Sequence, residues 1–236
     1  MSKRWLVTGG TRGIGLATAR RAAAAGGRVA VVARRVDSAA QQVLGDGALL
    51  LEGDVASPSS IERCVAQVAD SWGGIDVLVN NAGLHRGGGV ESLPEADWNA
   101  VLATNLSGPL HCIRAVLKHM PRGGSIVNVG AVVGLRGFTG DSAYGASKAG
   151  LVGLTQVLAV ELARREVRVN LVVPGFVDTA MTSEVDERAR DRLLRRVPMR
   201  RTGTEDEIAE VIWWVAGSTY MTGAIVATDG GMLAQL

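Results

Sequence analysis

The chain has 236 residues, enough for one large domain or two small ones, and 47% of them are hydrophobic, which supplies an extensive core. The formal net charge is only +2, with arginines scattered along helical patterns and no basic run interleaved with aromatics, so a nucleic-acid-binding surface is not expected. No charge-free apolar stretch of about 18 residues occurs, so no membrane span is expected either.

Taken in chain order, the basic Lys3-Arg4 runs directly into an apolar strand at residues 5–7, which predicts no secretory signal. A glycine-rich segment and a helix over 14–25 follow, then a strand at 29–33, a strand at 48–51 and a helix over 59–72. Further strands are predicted at 77–79, 125–129, 167–172 and 224–226, with helices over 106–119 and 143–165. The Arg/Glu-rich stretch 181–201 has no strand character and is predicted as a helical, mobile flap. Continuous Val/Ile/Leu runs are strands covered on both faces. Their alternation with helices predicts an α/β fold: one Rossmann-type, doubly wound parallel sheet with helices on both faces, in a single domain over 1–236. Cys64 and Cys112 have no metal-ligand spacing and are predicted as buried free thiols, which fits a reducing cytoplasm; no metal site is expected.

Two motifs carry chemistry. Thr8-Gly9-Gly10-Thr11-Arg12-Gly13-Ile14-Gly15 joins the first strand to the first helix. Glycines there allow a tight turn and close backbone approach to a pyrophosphate, which the helix N-terminus attracts. Tyr144 and Lys148 sit one helical turn apart on one helix face. An ammonium beside a phenol is expected to lower the tyrosine pKa from about 10 towards working pH, giving a proton donor for alcohol–carbonyl interconversion.

Asn80-Asn81-Ala82-Gly83 after the fourth strand, Asn105 in Thr104-Asn105-Leu106-Ser107-Gly108, Pro174-Gly175-Phe176-Val177-Asp178-Thr179 and Thr228-Asp229-Gly230-Gly231 complete a pattern. With the glycine turn and Tyr144/Lys148 it closely resembles the short-chain dehydrogenase/reductase family over nearly the whole chain. The resemblance implies that Gly9, Thr11, Arg12, Gly13, Ile14 and Gly15 hold the cofactor phosphates. It places Asp54, with the Val55 backbone, on the adenine, and Asn81, Ala82 and Gly83 along the adenosine ribose and nicotinamide side. Tyr144 and Lys148 would contact the nicotinamide ribose, with Pro174, Gly175, Val177 and Thr179 around the carboxamide. A carboxylate at the end of the second strand would select NAD(H). Here that place is Ala33 followed by Arg34 and Arg35, and Arg12 lies in the turn, which points to NADP(H).

The resemblance also implies four catalytic side chains: Asn105 holding a water, Lys148, Tyr144, and a serine thirteen residues before the tyrosine. That register falls on Ala131, which has no donor. A deliberate Ser→Ala replacement ranks first, because every other motif is intact. A natural variant of weak activity, or substitution by another hydroxyl such as Ser142 or Thr139, are the open alternatives.

Val132, Val133, Leu135, Phe138, Phe176 and Met181, with Ala131 and Tyr144, outline an expected apolar substrate pocket. Within the family the chain looks most like β-ketoacyl reductases acting on carrier-protein or coenzyme A thioesters. Arg122 and Arg165 match positions where that subfamily presents arginines to an acidic acyl carrier protein near the pocket mouth. Reduction of a free ketone or secondary alcohol of polyketide, sugar or steroid type is the alternative, and a non-catalytic NADP-binding protein is a further one. His85 could touch substrate, but it is read first as a solvent-facing loop histidine. The helices over 106–119 and 143–165 are apolar on more than one face, and the resemblance implies that such helices pair across two-fold axes, usually into a homotetramer, with a dimer as the alternative.

Overall fold

Strands rich in Val, Leu and Ile need two covered faces, and the chain provides them by returning each strand through a helix. The computed structural model describes residues 2–179 and 187–234. The strands among them are β1 (Arg4–Thr8), β2 (Arg28–Ala33), β3 (Leu49–Glu52), β4 (Val77–Asn80), β5 (Ser125–Val129), β6 (Arg168–Pro174) and β7 (Ile225–Thr228). They form one sheet of order β3-β2-β1-β4-β5-β6-β7, parallel throughout. The helices are α1 (Gly13–Ala24), α2 (Ser38–Leu44), α3 (Pro58–Trp72), α4 (Glu95–Leu102), α5 (Gly108–Val116), α6 (Ser142–Leu162), α7 (Glu187–Arg195) and α8 (Glu205–Gly217).

Register turns the strand pleat into two cores. Ala30, Leu6, Leu78, Ile126 and Val169 are successive cross-strand partners, and all face α3, α5 and α6. One residue on, Val31, Val7, Val79 and Val127 face α1 and α8. Cys64 and Cys112 are buried and free in the first of these layers. The chain builds outward from β1 to β3, then crosses back so that β4 pairs on the other side of β1. The reversal leaves a crevice at the carboxyl ends of β1 and β4, where ligands of open α/β sheets bind.

Local signals explain the helix ends. The Ser57 side chain caps α3 and Pro58 occupies its first turn, while Gly73, at φ 76°, terminates it. A capping box between Thr204 and Glu207 starts α8. The predicted helix over 106–119 is corrected: the backbone widens into a π-helical turn at Ala103–Ser107, and α5 proper runs Gly108–Val116. Pro109 has no N–H to return to Asn105 four residues earlier, which favours the wider turn. Among the described residues, one helix, Ser142–Arg165, is long and apolar enough by composition to cross a membrane. It carries the buried Lys148 and packs Leu158 and Leu162 into the sheet layer.

Candidate active site

The glycine turn sits at the crevice. Gly9 and Gly13 adopt φ of 64° and 62°. A Cβ on Gly15 would lie 2.2 Å from Gly9 O and 2.5 Å from Asn81 Nδ2, so the turn folds back on itself with no room for a side chain. Asn81 braces it: Nδ2 donates to Thr8 O (3.0 Å) and Gly9 O (3.2 Å). The Asn81 and Ala82 N–H groups donate to Thr8 Oγ1 at 3.1 Å each. The Asn81 amide nitrogen is thus committed to the turn. Arg12 at the start of α1 makes no side-chain cap, and the first turn holds no acid. In contrast, Asp37, Ser57 and Thr204 cap α2, α3 and α8. α4, α5 and α6 likewise lack a side-chain cap, so it is the glycine turn leading into α1 that makes the residues present fit a dinucleotide pyrophosphate.

The adenosine side is assembled next to this turn. Gly9 N donates to Val32 O (2.7 Å), and Gly53 N donates to Ala33 O (2.9 Å). These bonds bring the turn, the exposed Arg34 and Arg35, and Asp54 around the end of β2. Arg12, Arg34 and Arg35 pair with no carboxylate among the described residues. Asp54 is half-buried, with one oxygen accepting from Ala56 N (2.9 Å). The Val55 carbonyl contacts His111 Nδ1 at 3.0 Å. At the far side Gly175 donates to Thr228 O (3.0 Å), and Asp229 leaves no space for a Cβ there. Val177 is buried and bridges Gly203. Thr179 is the last described residue before the gap.

Tyr144 and Lys148 lie in the first two turns of α6, against the end of β5. Lys148 is buried, and Nζ donates to Val129 O at 2.7 Å. Nζ also lies 5.6 Å from the centre of the Tyr144 ring. The expected lowering of the tyrosine pKa is corrected. Burial, aided by the Asp141 charge, pushes Tyr144 up to about 12, and burial draws Lys148 down to about 8. Desolvation is the first cause for both groups, and it disfavours the phenolate and the ammonium alike.

Asn105 is fully buried in the π-helical turn. Its Oδ1 accepts from Leu84 N (2.7 Å), and its Nδ2 donates to Leu84 O (2.8 Å) and Ser147 Oγ (3.1 Å). Ser147 in turn donates to Tyr144 O at 2.7 Å. The asparagine amide thus clamps the loop after β4 to α6. Ser147, inside the Tyr144–Lys148 segment, and Leu84 were not predicted as site residues, because their role is a contact across distant segments.

A family model described as Enoyl-(Acyl carrier protein) reductase matches residues 9–233. The 3-oxoacyl-[acyl-carrier-protein] reductase FabG of Thermotoga maritima is 40% identical over 240 residues, covering 97% of this chain and 96% of that protein. The chain belongs to the short-chain dehydrogenase/reductase family. Carbonyl reductase family member 4 of Xenopus laevis is likewise 40% identical, over 239 residues and 100% of both chains. Among solved structures, a blue fluorescent protein from a metagenomic library in complex with NADPH superposes with a TM-score of 0.90, at 34% identity over 98% of this chain and 97% of that one. As a short-chain dehydrogenase/reductase the chain is of an oxidoreductase type, and the family binds NAD(P).

Position 131 is where the sequence resemblance implies a serine. Ala131 is half-buried ahead of a 3₁₀ turn, Val132–Gly134, that lies against α6. A Cβ on Gly134 would fall 2.7 Å from the Lys148 carbonyl carbon. The hydroxyl alternatives Ser142 and Thr139 are exposed.

The expected pocket is partly corrected. Val132 is a core residue, packed with Leu151, Leu171 and Val173, and Phe138 and Phe176 lean on that cluster. Arg196 and Arg190 cover Phe138 and Phe176, at 5.9 and 5.6 Å. Val133 and Phe138 line a cleft of about 380 Å³ with Asp141, Ser142 and Ala146, and Tyr144 is not part of its wall. Met181 and the first part of the flap lie outside the described residues; the flap's described helix is α7, tied to Asp178 by Arg190 at 2.6 Å.

The carrier-docking expectation is corrected in placement. Arg122 precedes β5 and Arg165 follows α6, so both stand at the amino ends of the strands, opposite the crevice. Tyr144 and Arg165 are separated by the length of α6, whose 21 residues span roughly 30 Å at about 1.5 Å per residue. Arg122 is paired with Glu166 (2.5 Å), and Arg165 donates to Leu117 O (2.7 Å). Neither stands at the mouth of this chain's own site.

His85 is an exposed loop residue, as expected. Its ring nonetheless meets Tyr144 edge-on, centroids 5.1 Å apart, and Nε2 lies 2.7 Å from Asp141 Oδ1.

Proposed function

We propose that the protein is an NADPH-dependent reductase of β-keto groups, acting on acyl thioesters carried by acyl carrier protein or coenzyme A. The observation that carries this reading is the close approach of Tyr144 and the buried Lys148 at the crevice onto which the α1 N-terminus, without a side-chain cap, also opens. The substrate class is supported by the name of the Thermotoga maritima relative. The α1 N–H groups bind the pyrophosphate, and Asp54 binds the adenine. Arg34 and Arg35, free of carboxylate partners among the described residues, bind the 2′-phosphate. Bound NADPH supplies hydride to the carbonyl carbon.

Tyr144 gives its phenolic proton to the carbonyl oxygen, which becomes the hydroxyl. Its high pKa keeps that proton in place until negative charge develops on the oxygen. Lys148 donates to the ribose and stabilises the phenolate left behind. Asn105 holds the loop that walls the site and, with Lys148, positions a water for reprotonation. Arg122 and Arg165 serve a carrier only where its acyl group is delivered to another subunit, which accords with a homotetramer.

The name of the Xenopus laevis relative favours a second reading, reduction of a free ketone. Turnover of β-ketoacyl thioesters, a small β-ketoester and simple ketones, followed by loss of NADPH absorbance, separates the two. Tyr144→Phe is expected to lower kcat by about 10²–10⁴. Turnover that survives this change rejects the mechanism, and comparable kcat/KM with NADH rejects the cofactor assignment.

A further inference from the structure

The family's serine supplies a second hydrogen bond to the reacting oxygen, and Ala131 cannot. Another polar side chain already stands beside Tyr144. The His85 ring lies edge-on to the Tyr144 ring, with centroids 5.1 Å apart and planes at 82°. Its Nε2 is held by Asp141, which sits three residues before Tyr144 at the head of α6. We propose that the His85–Asp141 pair takes over the work of the missing serine, with the His85 imidazolium donating a hydrogen bond to the substrate oxygen as Tyr144 protonates it. This rests on the reading of Tyr144 as the proton donor to a carbonyl.

Three features favour a built site over a chance loop contact. Leu84, the neighbour of His85, is fixed through both its backbone groups by the buried Asn105. The loop is pinned again where Gly88 N donates to Gly140 O at 2.9 Å. A Cβ on Gly87 would come within 3.3 Å of both Gly140 O and His85 Cε1, so the glycine lets the two loops close on the imidazole. The His85 and Asp141 side chains are 40% and 25% exposed, so solvent reaches the pair.

The protonation state follows from the pairing. Nε2–H is committed to the carboxylate, so the remaining nitrogen can donate only when the ring is cationic. The Asp141 hydrogen bond raises the His85 pKa, which favours that form. The ionisable groups facing the ring are Asp141 and Tyr144 from α6, with Lys148 behind Tyr144; in its own loop Arg86 turns to Asp97, 3.9 Å away. Hydride enters the carbon, the Tyr144 proton enters the oxygen, and His85 keeps its own proton, so no further reactant is needed.

The test is a cycle of four proteins, wild type, His85→Ala, Ala131→Ser and the double variant, assayed with NADPH and a small β-ketoester. Tyr144→Phe is the control, and NADPH binding by fluorescence checks that each protein is folded. His85→Ala is expected to lower kcat by about 10²–10³ in the wild-type background, the typical cost of one oxyanion donor, and by less than about tenfold in the Ala131→Ser background. In the wild type, kcat/KM should fall as pH climbs through the raised His85 pKa, and that limb should disappear in the double variant. Equal losses in both backgrounds, a loss below about threefold in the wild type, or a silent wild type beside an active Ala131→Ser protein overturns the inference. If Tyr144→Phe leaves turnover intact, it is the parent reading that fails.

Discussion

Removing the Asn105 amide separates its architectural role from its chemical one. Asn105→Ala deletes three hydrogen bonds and leaves the Leu84 N–H and C=O without partners beneath the crevice. An orphaned buried polar group costs about 1–3 kcal/mol. Leu84 is half-buried, so water offsets part of this, and the sum for its two groups is about 2–4 kcal/mol. That is a large share of a typical total of about 5–15 kcal/mol. Urea unfolding followed by the fluorescence of the five tryptophans should show a lower midpoint with an unchanged slope. The released loop also carries His85, so kcat should fall more than KM rises. A stability change below about 0.5 kcal/mol, the range of ordinary surface substitutions, would refute the clamp.

Lys148 gives a pH signature in the ligand-free protein. Burial lowers its pKa to about 8, so between there and its ordinary value the unfolded chain binds the extra proton, and stability rises with pH. Lys148→Met should abolish that rise; equal slopes would reject it. Tyr144, raised to about 12, acts in the opposite sense above pH of about 10, where only the unfolded chain gives up the phenolic proton. Gly15→Ala should abolish dinucleotide binding measured by titration, because its methyl meets Gly9 O at 2.2 Å; retained affinity would contradict the turn geometry. Arg34→Ala should raise KM for NADPH about tenfold or more and spare NADH, as loss of a charge-assisted bond predicts; parallel shifts would reject a 2′-phosphate contact.

The fold was legible because each strand is a dense Val/Leu/Ile run, and every strand lies within two residues of its predicted bounds at both ends; β6 and β7 each run two residues further than expected, to Pro174 and Thr228. The π-helical turn was not legible. The apolar pattern runs through residues 103–116 unbroken, and a wider turn changes hydrogen-bond partners without changing composition. The glycine turn, Tyr144 and Lys148 could be read because their spacing is local. The places of Arg122, Arg165 and His85 could not. They depend on which sheet end a loop occupies and on partners such as Asp141, 56 residues from His85.

The 3₁₀ turn that carries residue 131 is closed by its own main chain, with Gly134 N donating to Ala131 O at 3.0 Å and Leu135 N to Val132 O at 3.0 Å. Gly134 then seats it against α6 with no gap. Nothing in that seating uses the side chain at 131. A hydroxyl added at 131 would leave these main-chain bonds in place, so the polar lining at this spot can change without the backbone beneath it being rebuilt.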